Sequence, residues 1–422
     1  MKKFIKIIRW LYPGLKIKRW IILLLAGVFL ILVSSHLMSR EKSLMALITY
    51  RALFTAGIGS FIFGAIYLIK SFFEAIYPEE DKNLLDIIYE KRFLSKGPKI
   101  VAIGGGTGLS TILEGLKEYT SNISAIVTVA DEGGSSGRLR EELGMLPPGD
   151  IRNCLVSLAE ASKLMRDLFQ YRFTEGDGIK GHSFGNLFIA AMTQVTGSFE
   201  DAIKASSRVL AIRGRVIPSS LDKIRIKAKY KDGSIKEGED KISVGTEPVE
   251  KLYLNPPDAH ANTEAIEAIR EADMIILGPG SLFTSIIPNL LIKQITEEII
   301  KKNVLKLYIC NVMTQHGETD GFTAADHLEA LVSHSRKNII NYCLVNSGRL
   351  DYNLLLRYSQ DKSFPVIFDR ERLRKMGTVV FEGDVVSRSD YLHHDYEKTA
   401  KVIMDIYNYD KRKWKGLKRK LS

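Results

Sequence analysis

Residues 99–109 read Lys-Ile-Val-Ala-Ile-Gly-Gly-Gly-Thr-Gly-Leu, and this stretch restricts the possible folds more than any other. A short β-branched apolar run stops at three glycines, and helix-forming sequence follows at once. Only glycine lets a backbone turn that sharply and still approach a ligand closely. The free N–H groups of the helix that follows then face outward, toward an anion. The pattern predicts a strand–loop–helix unit that binds a phosphorylated small molecule.

The same punctuation recurs along the chain. Predicted strands at 100–103, 125–130, 274–277, 305–309 and 339–345 end, in turn, at Gly104, at Asp131, at Gly278-Pro279-Gly280-Ser281, near Asn311 and at Asn346-Ser347-Gly348. Strands alternating with helices predict an α/β fold, a doubly wound and mostly parallel sheet with helices on both faces. Ligands of such sheets sit beyond the carboxyl ends of the strands, the edge from which all these loops leave, so they are grouped into one site. Residues 222–254 break the pattern. They predict a small β excursion of structural role, with a hairpin turn at Lys231-Asp232-Gly233-Ser234.

Each loop admits a bland reading beside a chemical one. Gly104, Gly105, Gly106, Thr107 and Gly108 form either a tight turn or a phosphate and ribose contact. Three consecutive glycines exceed what the turn needs. It is not a full dinucleotide fingerprint, because Leu109 stands where G-x-G-x-x-G requires glycine. Asp131 follows Gly104 by 27 residues, somewhat beyond the spacing usual for a ribose-binding acid. After it, Gly133, Gly134 and Gly137 free the backbone, Ser135 and Ser136 offer hydroxyls, and Arg138 or Arg140 can fork onto a phosphate. Asp150 suits a helix N-cap, with Arg152 and Asn153 in the first turn, where they can also face a ligand. Asp131 and Asp150 together are a thin ligand set for a divalent metal. His182 is structural by default, and Asn186 can serve a nucleobase or phosphate. Gly278, Pro279, Gly280 and Ser281 offer a second anion nest. His316 and Asp320 are acid–base candidates without a visible partner. No nucleophile elbow, zinc-protease motif or kinase signature occurs, so binding is better supported than turnover.

Charge is segregated. The first twenty residues and the last twelve each carry seven cations and no acid, which exceeds the net charge of +11 and leaves the stretch between slightly acidic. A nucleic-acid-binding body is therefore not expected. Three distant cysteines, without a C-x-x-C, fit a reducing compartment. Residues 20–38 and 52–69 are uncharged and long enough to cross a bilayer as helices. The basic arm before them places the N-terminus in the cytoplasm, and two spans return the chain there. The expected layout is a membrane hairpin over 1–77, a linker over 78–97, a nucleotide-binding body over 98–408 and a basic tail over 409–422. The tail is either solvated or laid on the anionic leaflet.

Taken together, residues 103–111, 128–155, 181–192, 277–291 and 311–328 resemble the gluconeogenesis-factor family, YvcK-like proteins within the wider 2-phospholactate transferase (CofD) group. The resemblance implies a Rossmann-like fold, a regulatory role in carbon metabolism and cell shape on gluconeogenic carbon sources, and a UDP-sugar ligand of the UDP-N-acetylglucosamine kind. Transferase members of the group move a phospholactyl group from a guanosine diphosphate donor, with magnesium. By analogy Gly104 to Gly108, Asp131, Ser135, Ser136, Gly137, Arg138, Asp150, Asn153, Asn186 and Gly278 to Ser281 line the nucleotide site, and Asp131 and Asp150 hold the metal in a transferase. A homo-oligomer is compatible with it. The family tends to read Arg-His-Asp near its C-terminus, and this chain has His393-His394-Asp395; neutral histidine replaces a guanidinium fork poorly. Three readings stay open: a UDP-sugar-binding regulator, a magnesium-dependent transferase, and an NAD-dependent oxidoreductase.

Overall fold

A computed structural model describes residues 17–40, 43–76, 92–242, 248–387 and 392–421, with side chains described to residue 413 at the C-terminal end. The chain divides into two compact units, residues 1–92 and 93–422. Most of the basic N-terminal arm and of the predicted linker lies outside the described residues.

Among the described residues the first unit holds two long helices, Ile17–Met38 and Leu44–Ile76. Both are long and apolar enough to cross a membrane, with mean hydropathy 2.6 over Lys18–Met38 and 2.0 over Leu44–Ser71. The second begins at Leu44 rather than at the predicted Ala52, so Arg51 lies within it. Small residues let the two backbones meet. A Cβ on Gly27 would stand 2.6 Å from the Phe61 nitrogen, and one on Gly64 2.9 Å from the Leu24 nitrogen. The Ser60 hydroxyl donates to the Leu23 carbonyl at 3.0 Å, and Trp20 stacks on Tyr67 at 4.5 Å. Close approach and interhelical hydrogen bonds are what hold helices together in lipid, where no hydrophobic force separates them from solvent. Ile22, Phe29, Leu32, Ile48, Ile62 and Ile66 point outward, the arrangement a hydrocarbon solvent favours. The chain is thus a two-span membrane protein.

Among the described residues the second unit holds ten strands: β1 Ile100–Gly104, β2 Ile123–Val127, β3 Arg215–Pro218, β4 Arg225–Tyr230, β5 Ile235–Glu237, β6 Val249–Asn255, β7 Met274–Leu277, β8 Leu305–Ile309, β9 Tyr342–Asn346 and β10 Val379–Gly383. Seven form one sheet in the order β10-β9-β8-β7-β1-β2-β3, with every pair parallel. β1, β2, β7 and β8 are buried along their whole length, which is why they read as continuous apolar runs. Each fully buried Ile or Leu of such a strand contributes about 1.5–3 kcal/mol. The sequence reading missed β3 and β10. Both are short edge strands, and β10 is half-exposed, so neither carries an unbroken apolar signature.

From β1 the chain winds through β2 to β3 on one side. From β7 it winds through β8 and β9 to β10 on the other. The order reverses between β1 and β7, and the crevice above such a reversal is where doubly wound sheets bind ligands. The excursion is a three-stranded antiparallel sheet, β5-β4-β6, with its predicted turn at Gly233 in a left-handed conformation. Ile226, Ala228, Tyr230, Leu252 and Leu254 form its buried face. The last helix runs without a break from Tyr396 to Leu421, so the predicted division at 408/409 is no structural boundary. Ala400, Ile403 and Ile406 are buried, and Gly115 admits Ala400 where a Cβ would stand 2.8 Å from the Ala400 methyl.

Candidate functional site at the sheet reversal

The loops after β1 and β7 meet above the reversal. A Cβ on Gly108 would lie 2.6 Å from the Pro279 carbonyl oxygen, so the two loops touch backbone to backbone only because position 108 is glycine. Gly106, Gly278 and Gly280 have φ of 65°, 74° and 151°, values that favour glycine. The helix Gly106–Leu116 starts here.

The Gly149–Leu158 helix brings Asp150 against the first loop. Asp150 is not an N-cap: the helix begins one residue earlier, after Pro148, without a side-chain cap. The Gly106 amide donates to the Asp150 carboxylate instead. A Cβ on Gly105 would stand 2.5 Å from the Asp150 carboxylate and 2.7 Å from a Thr128 methyl. Burial, then the negative charges of Asp131 and Glu239, push the Asp150 carboxyl up to about 7. Asp131 accepts the Gly133 amide at 2.9 Å, and its other oxygen lies 2.8 Å from where a Cβ on Gly149 would be. Asp131 and Asp150 are therefore neighbours. Glu239, from the short helix Glu239–Ile242 of the excursion, lies close to Gly133. The excursion, read from sequence as structural, thus adds an acid to the site.

Behind this rim lies a buried polar network. Asn186 donates to the Ser135 hydroxyl at 3.0 Å, and that hydroxyl is 2.9 Å from His182 Nδ1. Ser135 thus donates to His182, whose ring is kept neutral by burial and by Arg138 and Arg172. The Arg152 guanidinium donates to Asn186 Oδ1 at 3.1 Å, to Asn153 Oδ1 at 2.7 Å and to the Ser183 hydroxyl. Ser135 is 4% exposed and Asn186 1%, so the structure places both in the scaffold behind the crevice rather than on its surface. Ser136 is also buried, against Gly149. Arg138 is half-buried and donates to the Lys180 carbonyl at 2.9 Å. Arg140 donates to the Ile224 carbonyl at 2.7 Å and lies 3.6 Å from Glu132. That inward pairing turns Arg140 away from the role of phosphate fork.

The β7 loop is fixed by a residue the sequence reading passed over. Glu318 is fully buried. It accepts from the Ser281 hydroxyl, the Phe283 amide (3.3 Å), the Thr284 hydroxyl (3.3 Å) and the Gln315 side chain (2.9 Å). Burial pushes its carboxyl up to about 7. His316 and Asp320, its neighbours in sequence, pair with each other at 2.8 Å. No local pattern distinguishes Glu318 from them; only the fold does.

A cavity of about 760 Å³ opens on both glycine loops. Thr107, Gly108, Gly280 and Ser281 line one wall, Asn311 and Gln315 another, and Tyr358, His393 and His394 a third. Burial drives His394 down to about 4, and its Nε2 has no hydrogen-bond partner among the described residues. Asp395 accepts the Lys398 amide at 2.9 Å and caps the last helix. Among the described residues no group of three or more His, Cys, Asp or Glu is arranged to hold a metal.

This fold and sequence match known proteins. Residues 100–386 match the family described as 2-phospho-L-lactate transferase CofD. A "Putative gluconeogenesis factor" of Clostridium acetobutylicum is 45% identical over 419 residues, covering 95% of this chain and 92% of that protein. The gluconeogenesis factor of Bacillus subtilis is 46% identical over 314 residues, covering 74% of this chain and 99% of its own. A crystal structure of a UPF0052-family protein from Bacillus halodurans superposes with a TM-score of 0.71 at 45% identity, covering 73% of this chain and 99% of its own. The chain belongs to the CofD family and, within it, to the gluconeogenesis-factor, YvcK-like group. The Clostridium relative matches almost the whole chain, whereas nearly the full length of the Bacillus subtilis protein is matched within three-quarters of it.

Proposed function

We propose that the body binds a UDP-sugar of the UDP-N-acetylglucosamine kind at the β1–β7 crevice, as the regulatory ligand of a factor that ties cell-wall growth and cell shape to gluconeogenic carbon supply. The observation that carries this reading is the 760 Å³ cavity lying on two glycine loops at the sheet reversal. That volume falls in the roughly 300–1,000 Å³ range of small-molecule sites. The amides that follow Gly106 at the start of the helix suit a diphosphate, Arg138 of the Gly134–Leu143 helix is the guanidinium we assign to it, and Asn311 and Gln315, which line the cavity, offer hydrogen bonds to a sugar. The relatives named gluconeogenesis factors support the role. The hairpin keeps this site at the membrane, and the basic end of the last helix adds a contact with anionic lipid.

The test is calorimetric and thermal titration of the detergent-solubilised chain with UDP-N-acetylglucosamine, UDP-glucose, GDP with magnesium, and NADH. A ligand at a hundredfold excess over its Kd stabilises by about 2.7 kcal/mol. UDP-sugars are expected to stabilise and to be recovered intact. A shift with GDP and magnesium, and none with UDP-sugars, overturns the proposal.

A second reading, a magnesium-dependent transferase acting on a nucleotide-diphosphate donor, is favoured by one observation: Asp131 and Asp150 face each other, with Asp150 held near 7 partly by that repulsion. Two carboxylates without a third protein ligand suit Mg²⁺, which keeps waters and takes phosphate oxygens. When bound, the ion supplies charge neutralisation at phosphate. Asp131→Asn would then abolish turnover and spare binding. The oxidoreductase reading loses ground, because Leu109 is fully buried in the core and cannot stand in for a glycine against a dinucleotide.

A further inference from the structure

We infer that Glu318 is a positioning residue, a clamp that ties the Gly278–Ser281 loop to the 315–320 loop and so sets one wall of the cavity. The inference rests on the reading of that cavity as the ligand site. Glu318 does not line the cavity, but Ser281 and Gln315 do, and it holds both. One carboxylate oxygen takes the Ser281 hydroxyl and the Phe283 amide; the other takes the Gln315 side chain and the Thr284 hydroxyl. The single Thr284 proton is shared between that carboxylate oxygen and the Ser281 hydroxyl, 2.7 Å away, closing a ring of contacts.

A buried carboxyl is costly unless it is paired or hydrogen-bonded. Glu318 makes no ion pair among the described residues, so its neighbours are hydrogen-bond donors drawn from two loops. A leucine would fill the volume without that cost, so the fold gains loop geometry rather than packing. The clamp also dictates what the loop shows a ligand. The Ser281 hydroxyl proton is committed inward and is not offered to a ligand. Gly280 adds a second tie, donating to Asn311 Oδ1 at 3.3 Å.

Glu318→Gln can keep the clamp, because the Gln315 amide can turn round and present its oxygen. Glu318→Leu fills the space and removes it. In the full chain in detergent, Glu318→Leu is expected to speed hydrogen exchange of the Gly280–Thr284 amides at least tenfold, while β1 and β8 keep their protection. It is expected to weaken UDP-N-acetylglucosamine binding at least tenfold, and Glu318→Gln to stay within threefold of wild type in both. Unchanged exchange in Glu318→Leu overturns the clamp, as does equal acceleration through the whole sheet, which would mark a purely structural residue. Should Glu318→Leu fail to fold, Ser281→Ala, which deletes one donor, makes the same exchange comparison. Should the wild type bind no nucleotide sugar, the proposed ligand falls, and the exchange measurement still decides the clamp.

Discussion

Asp150 holds a proton at a pH where a free aspartate has long lost it. Its carboxyl lies near 7 in the folded protein, against about 3.8 in the unfolded chain. Between those values the folded state binds more protons than the unfolded state, so stability falls as pH rises from about 4 through 7. The shift from about 3.8 to about 7 makes ionising it in place cost on the order of 4 kcal/mol. Asp150→Asn makes the neutral form permanent. Melting temperature is therefore expected to rise at pH 7.5 and to stay level at pH 4, which flattens the pH profile. An unchanged profile in the variant would show that the repulsion among Asp131, Asp150 and Glu239 is relieved elsewhere. Both aspartates were legible in the sequence because each stands in a glycine-rich loop after a strand or before a helix. Glu239 and Glu318 were not, because their importance arises only from where tertiary packing carries them. Ser135 and Asn186 were legible as special residues but not in their role: a hydroxyl and an amide suit a phosphate or a buried network equally well, and burial decides.

At the level of elements, the glycine-punctuated core strands announce themselves, and edge strands do not. β1 and β7 carry the site and are uniformly apolar. β3 is four residues long and ends in Pro218, a residue tolerated at edges and strand ends. The helices around the site are joined by Arg152, which links the Gly149–Leu158 helix to the start of Phe184–Thr196. Its guanidinium is buried and makes no ion pair among the described residues, so its hydrogen bonds to Ser183, Asn186 and Asn153 offset its desolvation. Arg152→Met keeps much of the volume and strands those three polar groups. The expected loss is about 2–4 kcal/mol, seen as a lower melting temperature with faster exchange at the start of the Phe184–Thr196 helix. A loss under about 0.5 kcal/mol would mean that the three groups find one another, and that the arginine is not what joins the two helices.

For the molecule as a whole, the uneven charge is the feature that composition shows and the α/β body does not use. Residues 411–422 carry seven cations and no acid, and they extend a helix whose earlier turns are docked on the body through Ala400, Ile403 and Ile406. Lys411, Arg412 and Lys413 are exposed. Trp414, Leu417 and Leu421 follow at helical spacing among the cations, the composition of a membrane-surface helix. The same chain carries the apolar hairpin, and each cation near an anionic leaflet contributes on the order of 1 kcal/mol. The three native cysteines are buried, so a fluorophore on Ser422→Cys reports on this end alone. In nanodiscs containing anionic lipid the emission is expected to shift to the blue, and raising the salt to about 1 M, where the screening length falls to about 3 Å, should reverse the shift. Replacing the seven cations by glutamine should abolish it while leaving the hairpin inserted. Identical spectra in anionic and zwitterionic discs would mean that the tail is solvated. The hairpin alone would then tether the body, and the basic C-terminal end would have to be explained by a soluble partner.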